Sequence, residues 1–309
     1  MSAPALPVAK RLPRYKRAAT LMKLSISPAR HQILVALGKY DYLVARQVNW
    51  VIGRSATSLT STQEHLKLLF HAGYVQRLWL PTVTPMGSSM AIYCLDNLGY
   101  QYLAAAGLEP QGRFRASELA RREFAFLRHH LQGNDLLVLA ERLGQRYGRV
   151  NLARVRTERQ LRREPVYVVS GKDRGLVIPD AWVDLRIDDS QTCIAFELDR
   201  GTERRKKIEA KVRDLLEYSK GPYQKVFGTE SLTVAFVVAE GGDGRVEDLL
   251  RWIGAVLTAR GRTADADLFR VSAFDPATID PAEAFFGAVW QRPFHQGLLP
   301  LIGEDDGGV

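Results

Sequence analysis

The sequence predicts two domains of different class: a small helical domain closed by a two-stranded wing, and after it an α/β domain with a mixed sheet. Three observations carry this. The chain has 309 residues, more than one ordinary core needs. Between positions 28 and 106, apolar residues at helical spacing give way to two short strand-like runs flanking a Pro/Gly/Ser segment. Beyond position 150, strand-length apolar runs alternate with amphipathic helical stretches.

Residues 1–27 read as a basic, flexible arm. No acidic residue precedes Asp41, whereas Lys10, Arg11, Arg14, Lys16, Arg17, Lys23 and Arg30 all do. Pro4, Pro7 and Pro13 break any helix there, which argues against a transit peptide, and no apolar core of a secretory signal is present. The first domain spans 28–110. Pro28 opens a helix whose stripe is Ile33, Leu34 and Leu37. A second helix is expected from Asp41, with Leu43, Val44, Val48, Val51 and Ile52 on one face. Gly53 and Arg54 form the turn, and Ser55, Thr57 and Ser58 announce a third helix ending at Gly73. The runs Tyr74–Leu80 and Met90–Leu95 then make the wing, followed by a helix over 97–106. Three helices and a wing in this compass outline a winged helix-turn-helix.

A linking helix is expected within 111–149, with a break at Gly133. The α/β domain follows over 150–275. Its strands are expected at 150–155, 166–169, 181–187, 193–198, 232–239 and 268–273, and its helices at 202–220 and 246–260. The tail, 276–309, carries Trp290 and Phe294 and is apolar enough to dock on a partner.

The formal charge of +9 suits a polyanionic partner, nucleic acid or an anionic membrane surface. No apolar run approaches the ~20 residues of a membrane span, so insertion is excluded. Cys94 and Cys193, the two cysteines, sit in apolar runs and read as buried thiols of a reducing, cytoplasmic protein. The six histidines show no zinc spacing, and His129-His130 reads as a packing or surface pair.

The third helix is the candidate recognition element for double-stranded DNA. With Leu66, Leu69 and Phe70 turned inward, Ser61, Glu64, His65 and Leu68 face outward. Thr57, Ser58 and Ser61 can touch phosphates and base edges, while Arg54, Lys67 and Arg77 neutralise phosphate beside them, together with Arg11, Arg14, Lys16 and Arg17 of the arm. Leu68 marks a candidate homodimer seam. The same fold also serves protein contact.

The strongest chemical signal is Ile178-Pro179-Asp180, followed after one strand by Glu197-Leu198-Asp199. Adjacent strands can present Asp180 and Glu197 at one end to hold Mg²⁺ or Mn²⁺ through oxygen. Such an ion orients water and stabilises charge on a phosphate under attack. Glu197 and Asp199 share one strand face, which places Asp199 within reach of the same ion.

Asp180, Glu197 and their spacing resemble the PD-(D/E)xK nuclease superfamily. A wider set resembles the replication-relaxation family of plasmid and integrative-element proteins. It comprises Leu-Phe-His-Ala-Gly-Tyr-Val (69–75), Tyr-Cys-Leu-Asp-Asn-Leu-Gly (93–99), His129-His130, Thr157–Arg162, Ile178-Pro179-Asp180 and Glu197–Thr202, then Lys211 and Tyr218. The likeness covers about residues 28–240. It implies roles in plasmid replication, DNA relaxation or conjugative transfer, alongside replication or conjugation proteins.

The nuclease pattern wants a lysine two residues after the glutamate, and Asp199 stands there. Lys207 and Lys211, four apart on the next helix, share a face that Tyr218 continues, so either can replace it. Glu158 can complete a metal shell. Ion pairing of Glu197 or Asp199 with Arg200, Arg204 or Arg162 explains the same residues without chemistry. Three functions stay open: a DNA-binding factor with a degenerate nuclease-like domain, a metal-dependent endonuclease or nickase, and an adaptor recruiting a replication or transfer machine through the tail around Trp290.

Overall fold

A computed structural model describes residues 12–13, 16–79, 90–110, 124–170 and 173–303. The chain divides into two compact units, Met1–Arg122 and Glu123–Val309.

The first unit opens with α1 (Pro28–Tyr40). Ser27 Oγ accepts the Arg30 N–H and Pro28 takes the first turn, which satisfies the helix start. Ile33, Leu34 and Leu37 are buried, as the stripe predicts. The next segment departs from expectation. Leu43 and Val44 belong to a strand, β1 (Tyr42–Val44), and the helix α2 (Ala45–Val51) starts after it. All three strand residues are buried and pair antiparallel with β3 (Ala91–Leu95), so sheet pairing overrides the helical spacing. A short 3₁₀ turn at Ala56–Ser58 leads into α3 (Leu59–His71). Buried polar groups fix the turn between α2 and α3. Thr62 Oγ1 donates to Asn49 Oδ1 at 2.7 Å, and Asn49 Nδ2 donates to the Ser55 carbonyl at 2.8 Å. β2 (Val75–Trp79) completes a three-stranded sheet in the order β1-β3-β2, and α4 (Asn97–Ala105) closes the unit. Gly99 is required there, because a Cβ would run into the Tyr74 carbonyl oxygen. The wing tip at 80–89 lies outside the described residues.

The basic arm is shorter than the sequence suggests. Arg17 bonds to the Val75 carbonyl at 2.8 Å and to Asp96 at 2.7 Å. The Ala18 and Met22 N–H groups bond to His71. From Arg17 onward the segment is thus held against its own unit.

The second unit is built on a five-stranded sheet in the order β10-β9-β8-β7-β4. Its strands are β4 (Val150–Thr157), β7 (Ala181–Ile187), β8 (Ser190–Asp199), β9 (Thr233–Val238) and β10 (Phe269–Ala273). β8, β9 and β10 are parallel, and β7 runs antiparallel to both its neighbours, making the sheet mixed. Strand alternation sorts β8 between two layers. Cys193 and Ala195 join the core formed with α7 (Arg205–Ser219) and α9 (Gly242–Ala259). Phe196 faces the other way, edge-on to Phe285 of α10 (Pro281–Phe286). A long helix, α5 (Phe124–Arg146), packs on β4, β7 and β8 and runs through Gly133 without the expected break. Gly133 serves close approach instead: a Cβ there would stand 3.4 Å from the Asp180 carbonyl oxygen.

Smaller elements complete the unit. α6 (Glu158–Leu161) caps β4, with Thr157 and Gln160 bonding reciprocally. β5 (Val166–Ser170) and β6 (Asp173–Val177) form a separate ribbon where the sequence suggested a turn. α8 (Pro222–Phe227) was too short to show a helical period. Trp290 corrects the docking assignment: it is fully buried in its own unit, and its Nε1 donates to the Ala284 carbonyl at 2.7 Å. It offers no surface to a partner. Among the described residues, no helix is long and apolar enough to cross a membrane.

Candidate functional site

The site forms where β7 begins and β8 ends. Pro179 directs the chain into β7, and the Asp180 N–H bonds to the Phe196 carbonyl at 3.0 Å. That bond places the Asp180 carboxylate at the strand ends. One oxygen, Oδ2, accepts the Leu198 N–H at 2.7 Å, and the other, Oδ1, meets His129 Nε2 of α5 at 2.9 Å. Burial works against charge on Asp180, but the His129 and Leu198 hydrogen bonds and the charges of His129 and Lys211 hold its carboxyl below the usual range.

Glu158 opens α6 and lies on the same side. Its carboxylate stands 3.0 Å from His130 Nε2 and is also bound by Arg162. Burial opposes its charge, and His130, with Arg162, more than offsets that, so Glu158 is held below its ordinary value. His129, Glu158 and Asp180 each bring one ligand atom within 4.8 Å of the other two. One imidazole nitrogen and two carboxylate oxygens are a donor set for a divalent cation. Burial would lower His129, yet its hydrogen bond to Asp180 and the nearby carboxylates raise it above the ordinary value.

Glu197 points to the α7 side of the sheet, as strand alternation requires. Lys211 Nζ of α7 donates to Glu197 Oε2 at 2.8 Å. Glu203 lies 3.5 Å from the same ammonium. Burial pushes Glu197 up to about 7, with Asp180 and Glu203 adding to the rise and Lys211 opposing it. Burial also works against charge on Lys211, but Glu197, Asp180 and Glu203 outweigh it and hold the lysine charged. A cavity of about 230 Å³ opens beside this pair.

Other sequence candidates stand elsewhere. Lys207 pairs with Glu203 on the exposed side of α7, although its side chain also borders the cavity. Asp199 is bound by Arg245 at 2.9 and 2.7 Å and accepts the Gly201 N–H. It joins neither the cation set nor Lys211, because its oxygens serve that ion pair. Tyr218 is buried against Tyr223, and burial and Glu197 push its hydroxyl up. His129 was overlooked as a ligand. The available signal was a titratable pair set between Leu127 and Leu131, both buried on α5.

In the first unit, α3 exposes Ser61, and Thr57 is exposed at its approach. Ser58 is half-buried. Arg54 donates to Ser61 Oγ at 3.2 Å, and Lys67 pairs with Glu64 at 3.2 Å. His65 is half-buried, and burial with Arg30 and Arg54 lowers it. Thr60 and Gln63 are exposed on this helix too. Arg77 stacks over Phe70 at 4.3 Å and Trp79 at 5.2 Å. Lys16 is exposed and Arg17 is engaged with Asp96. Arg11 and Arg14 lie outside the described residues.

The sequence profile described as replication-relaxation matches residues 34–232, which include α1, α3, the cation set, Glu197 and Lys211. No curated protein and no solved structure matches.

Proposed function

The chain belongs to the replication-relaxation family, and from that membership and the site's geometry we propose that it binds the DNA of a plasmid or other mobile element and opens one strand with the help of a divalent cation. Relaxing a supercoiled duplex requires a break in at least one strand, so a phosphodiester-cutting site is the chemistry the family description calls for.

The observation that carries this reading is Lys211. The lysine missing at position 199 is supplied in space by α7, 2.8 Å from Glu197. In our reading the second unit follows the PD-(D/E)xK plan with its lysine migrated to the helix. The residues present fit a cation: His129, Glu158 and Asp180 would hold it, and the imidazole favours Mn²⁺ over Mg²⁺. A bound divalent ion would neutralise phosphate charge and acidify a water. Glu197, with its carboxyl near neutrality, is suited to take the proton of the attacking water. Lys211 places an ammonium where negative charge grows on the phosphate, and the departing deoxyribose oxygen completes the break.

The first unit, read as a winged helix-turn-helix, would set α3 in the major groove. Ser61, Thr57 and Gln63 supply the polar contacts, and Arg54 and Lys16 neutralise phosphate. Supercoiled plasmid incubated with the protein and Mn²⁺ tests the proposal. Open circles should appear with the wild type and not with Asp180→Asn. Absence of nicking with both Mn²⁺ and Mg²⁺ would leave DNA binding alone, the reading that Asp199 at the lysine position favours.

A further inference from the structure

The β5–β6 ribbon has an outer face that neither its folding nor the cleavage chemistry uses. Tyr167 pairs with Leu176 and Val169 with Arg174, so these four share one side. Tyr167, Val169 and Leu176 are 53%, 66% and 48% exposed. The inner side is already apolar: Val166, Val168 and Val177 are buried in the core that α7 shares. A two-stranded ribbon packed on one face ordinarily turns polar residues to water on the other. Here the outer face is apolar and aromatic instead. The guanidinium of Arg174 lies 4.5 Å from the Tyr167 ring centroid, leaving the ring flanked by a cation.

This face runs directly into the site. Leu176 lines the cavity of about 230 Å³ together with Ile178, and the opposite wall is Lys207, Lys211, Glu197 and Asp214. Cross-strand neighbours stand about 5 Å apart. Tyr167 is thus one strand's width from a residue that touches the cavity. Exposed cations frame the ribbon: Arg162 and Arg163 before β5, Lys206 and Lys207 on α7. Of the acids nearby, Glu197 is neutralised by Lys211, and Glu164 faces Arg156 at 3.4 Å.

We infer that this face is a stacking platform for a single DNA strand, which it leads into the Glu197–Lys211 cavity. The inference rests on the DNA-cutting reading above and adds the form of the substrate. An exposed aromatic ring beside guanidinium groups binds unpaired bases by their faces and the backbone by charge. Paired bases inside a duplex are stacked on one another and offer Tyr167 no face. The surrounding positive charge favours a polyanion over an apolar protein partner.

The test uses the full chain in a chelator, which keeps cleavage off and makes the outcome independent of the nicking assay. A short single-stranded oligonucleotide bearing 5-iododeoxyuridine is irradiated with the protein and the adducts are mapped by mass spectrometry. The adduct is expected at Tyr167. Tyr167→Ala should lose it and bind a labelled single strand about tenfold more weakly, while Tyr167→Phe should keep both. No adduct, adducts only elsewhere, or equal affinity for Tyr167→Ala would overturn the inference. So would a Tyr167-dependent dimer in sedimentation, which would assign the face to a second copy of the chain. Failure of the cutting reading would show separately, as plasmid left supercoiled in Mn²⁺.

Discussion

Lys211 Nζ stands 2.8 Å from Glu197 Oε2, across 14 positions of sequence that hold a loop and the first turns of a helix. The pair is lopsided. Glu197 is almost wholly buried, whereas Lys211 keeps part of its side chain open toward the cavity. The ammonium faces Glu197, Glu203 and, through charge, Asp180. A cation at the convergence of three carboxylates can exchange one of them for a phosphate oxygen without leaving its place.

Replacing Lys211 separates charge stabilisation from metal binding. Lys211→Met should lower the nicking rate by about 10²–10³-fold, the scale for losing one preorganised donor. Because Lys211 is no member of the cation set, Mn²⁺ affinity should hold. Lys211→Arg should recover part of the rate. Nicking measured on supercoiled plasmid, with calorimetric Mn²⁺ titration of the same preparations, decides it. A variant that nicks at the wild-type rate removes Lys211 from the mechanism.

The cation set predicts its own pattern. Loss of either His129 or Asp180 removes one of three donors, so His129→Ala and Asp180→Asn should each weaken Mn²⁺ by more than about tenfold. Glu197→Gln and Asp199→Asn should weaken it little. Electron paramagnetic resonance of bound Mn²⁺ should show nitrogen coupling that disappears in His129→Ala. Coupling that persists would place the ion elsewhere.

Only part of this site was legible in the sequence. Asp180 and Glu197 could be found because each is defined by its own strand and the residues beside it. His129 lies 51 positions from its partner Asp180, and only the packing of α5 on the sheet joins them. Lys207 and Lys211 share a helix face, so periodicity named both. Which one is drawn inward depends on the depth of Glu197, and that is a tertiary fact. Asp199 shares a strand face with Glu197, yet Arg245, 46 positions on, takes it away from the metal set. At Tyr42–Val44 local spacing misled, since the helical stripe and the β1 strand bury the same residues. Trp290 read as a docking residue because an apolar tail looks alike whether it meets a partner or its own core.

The Asp199–Arg245 pair therefore predicts a loss of stability and not of metal. Both side chains are largely buried, and the guanidinium engages both carboxylate oxygens. Removing the acid leaves a buried cation facing Asp248 at longer range. Asp199→Ala should cost about 3–5 kcal/mol, and the double variant with Arg245→Met should recover much of it. Urea denaturation of the single and double variants measures both. A loss below about 1 kcal/mol would show that the pair is not structural.

His71 makes the hold on the basic arm sensitive to pH. Its ring is buried, and its Nδ1 accepts the Ala18 N–H at 3.1 Å, which requires that nitrogen to be unprotonated. Burial lowers its pKa, as do the charges of Arg77 on β2, Lys67 on α3 and Arg17 on the arm itself, against a backbone hydrogen bond at Pro13 that raises it. The folded value is thus below the unfolded one of about 6.5. Above that value His71 is neutral in both states, and its contribution to stability is complete. As pH falls below it, the unfolded chain takes up a proton that the folded chain resists, so stability is lost until the folded value is passed. Protonation also replaces the acceptor for Ala18 with a donor, which frees the segment from Arg17 to Met22. Hydrogen exchange of that segment, corrected for intrinsic rates, should be slower at about pH 7.5 than at about pH 5.5. His71→Gln, whose amide oxygen can still accept from Ala18, should show the same protection at both. Equal protection in the wild type would mean that Ala18 is held by something other than the neutral ring.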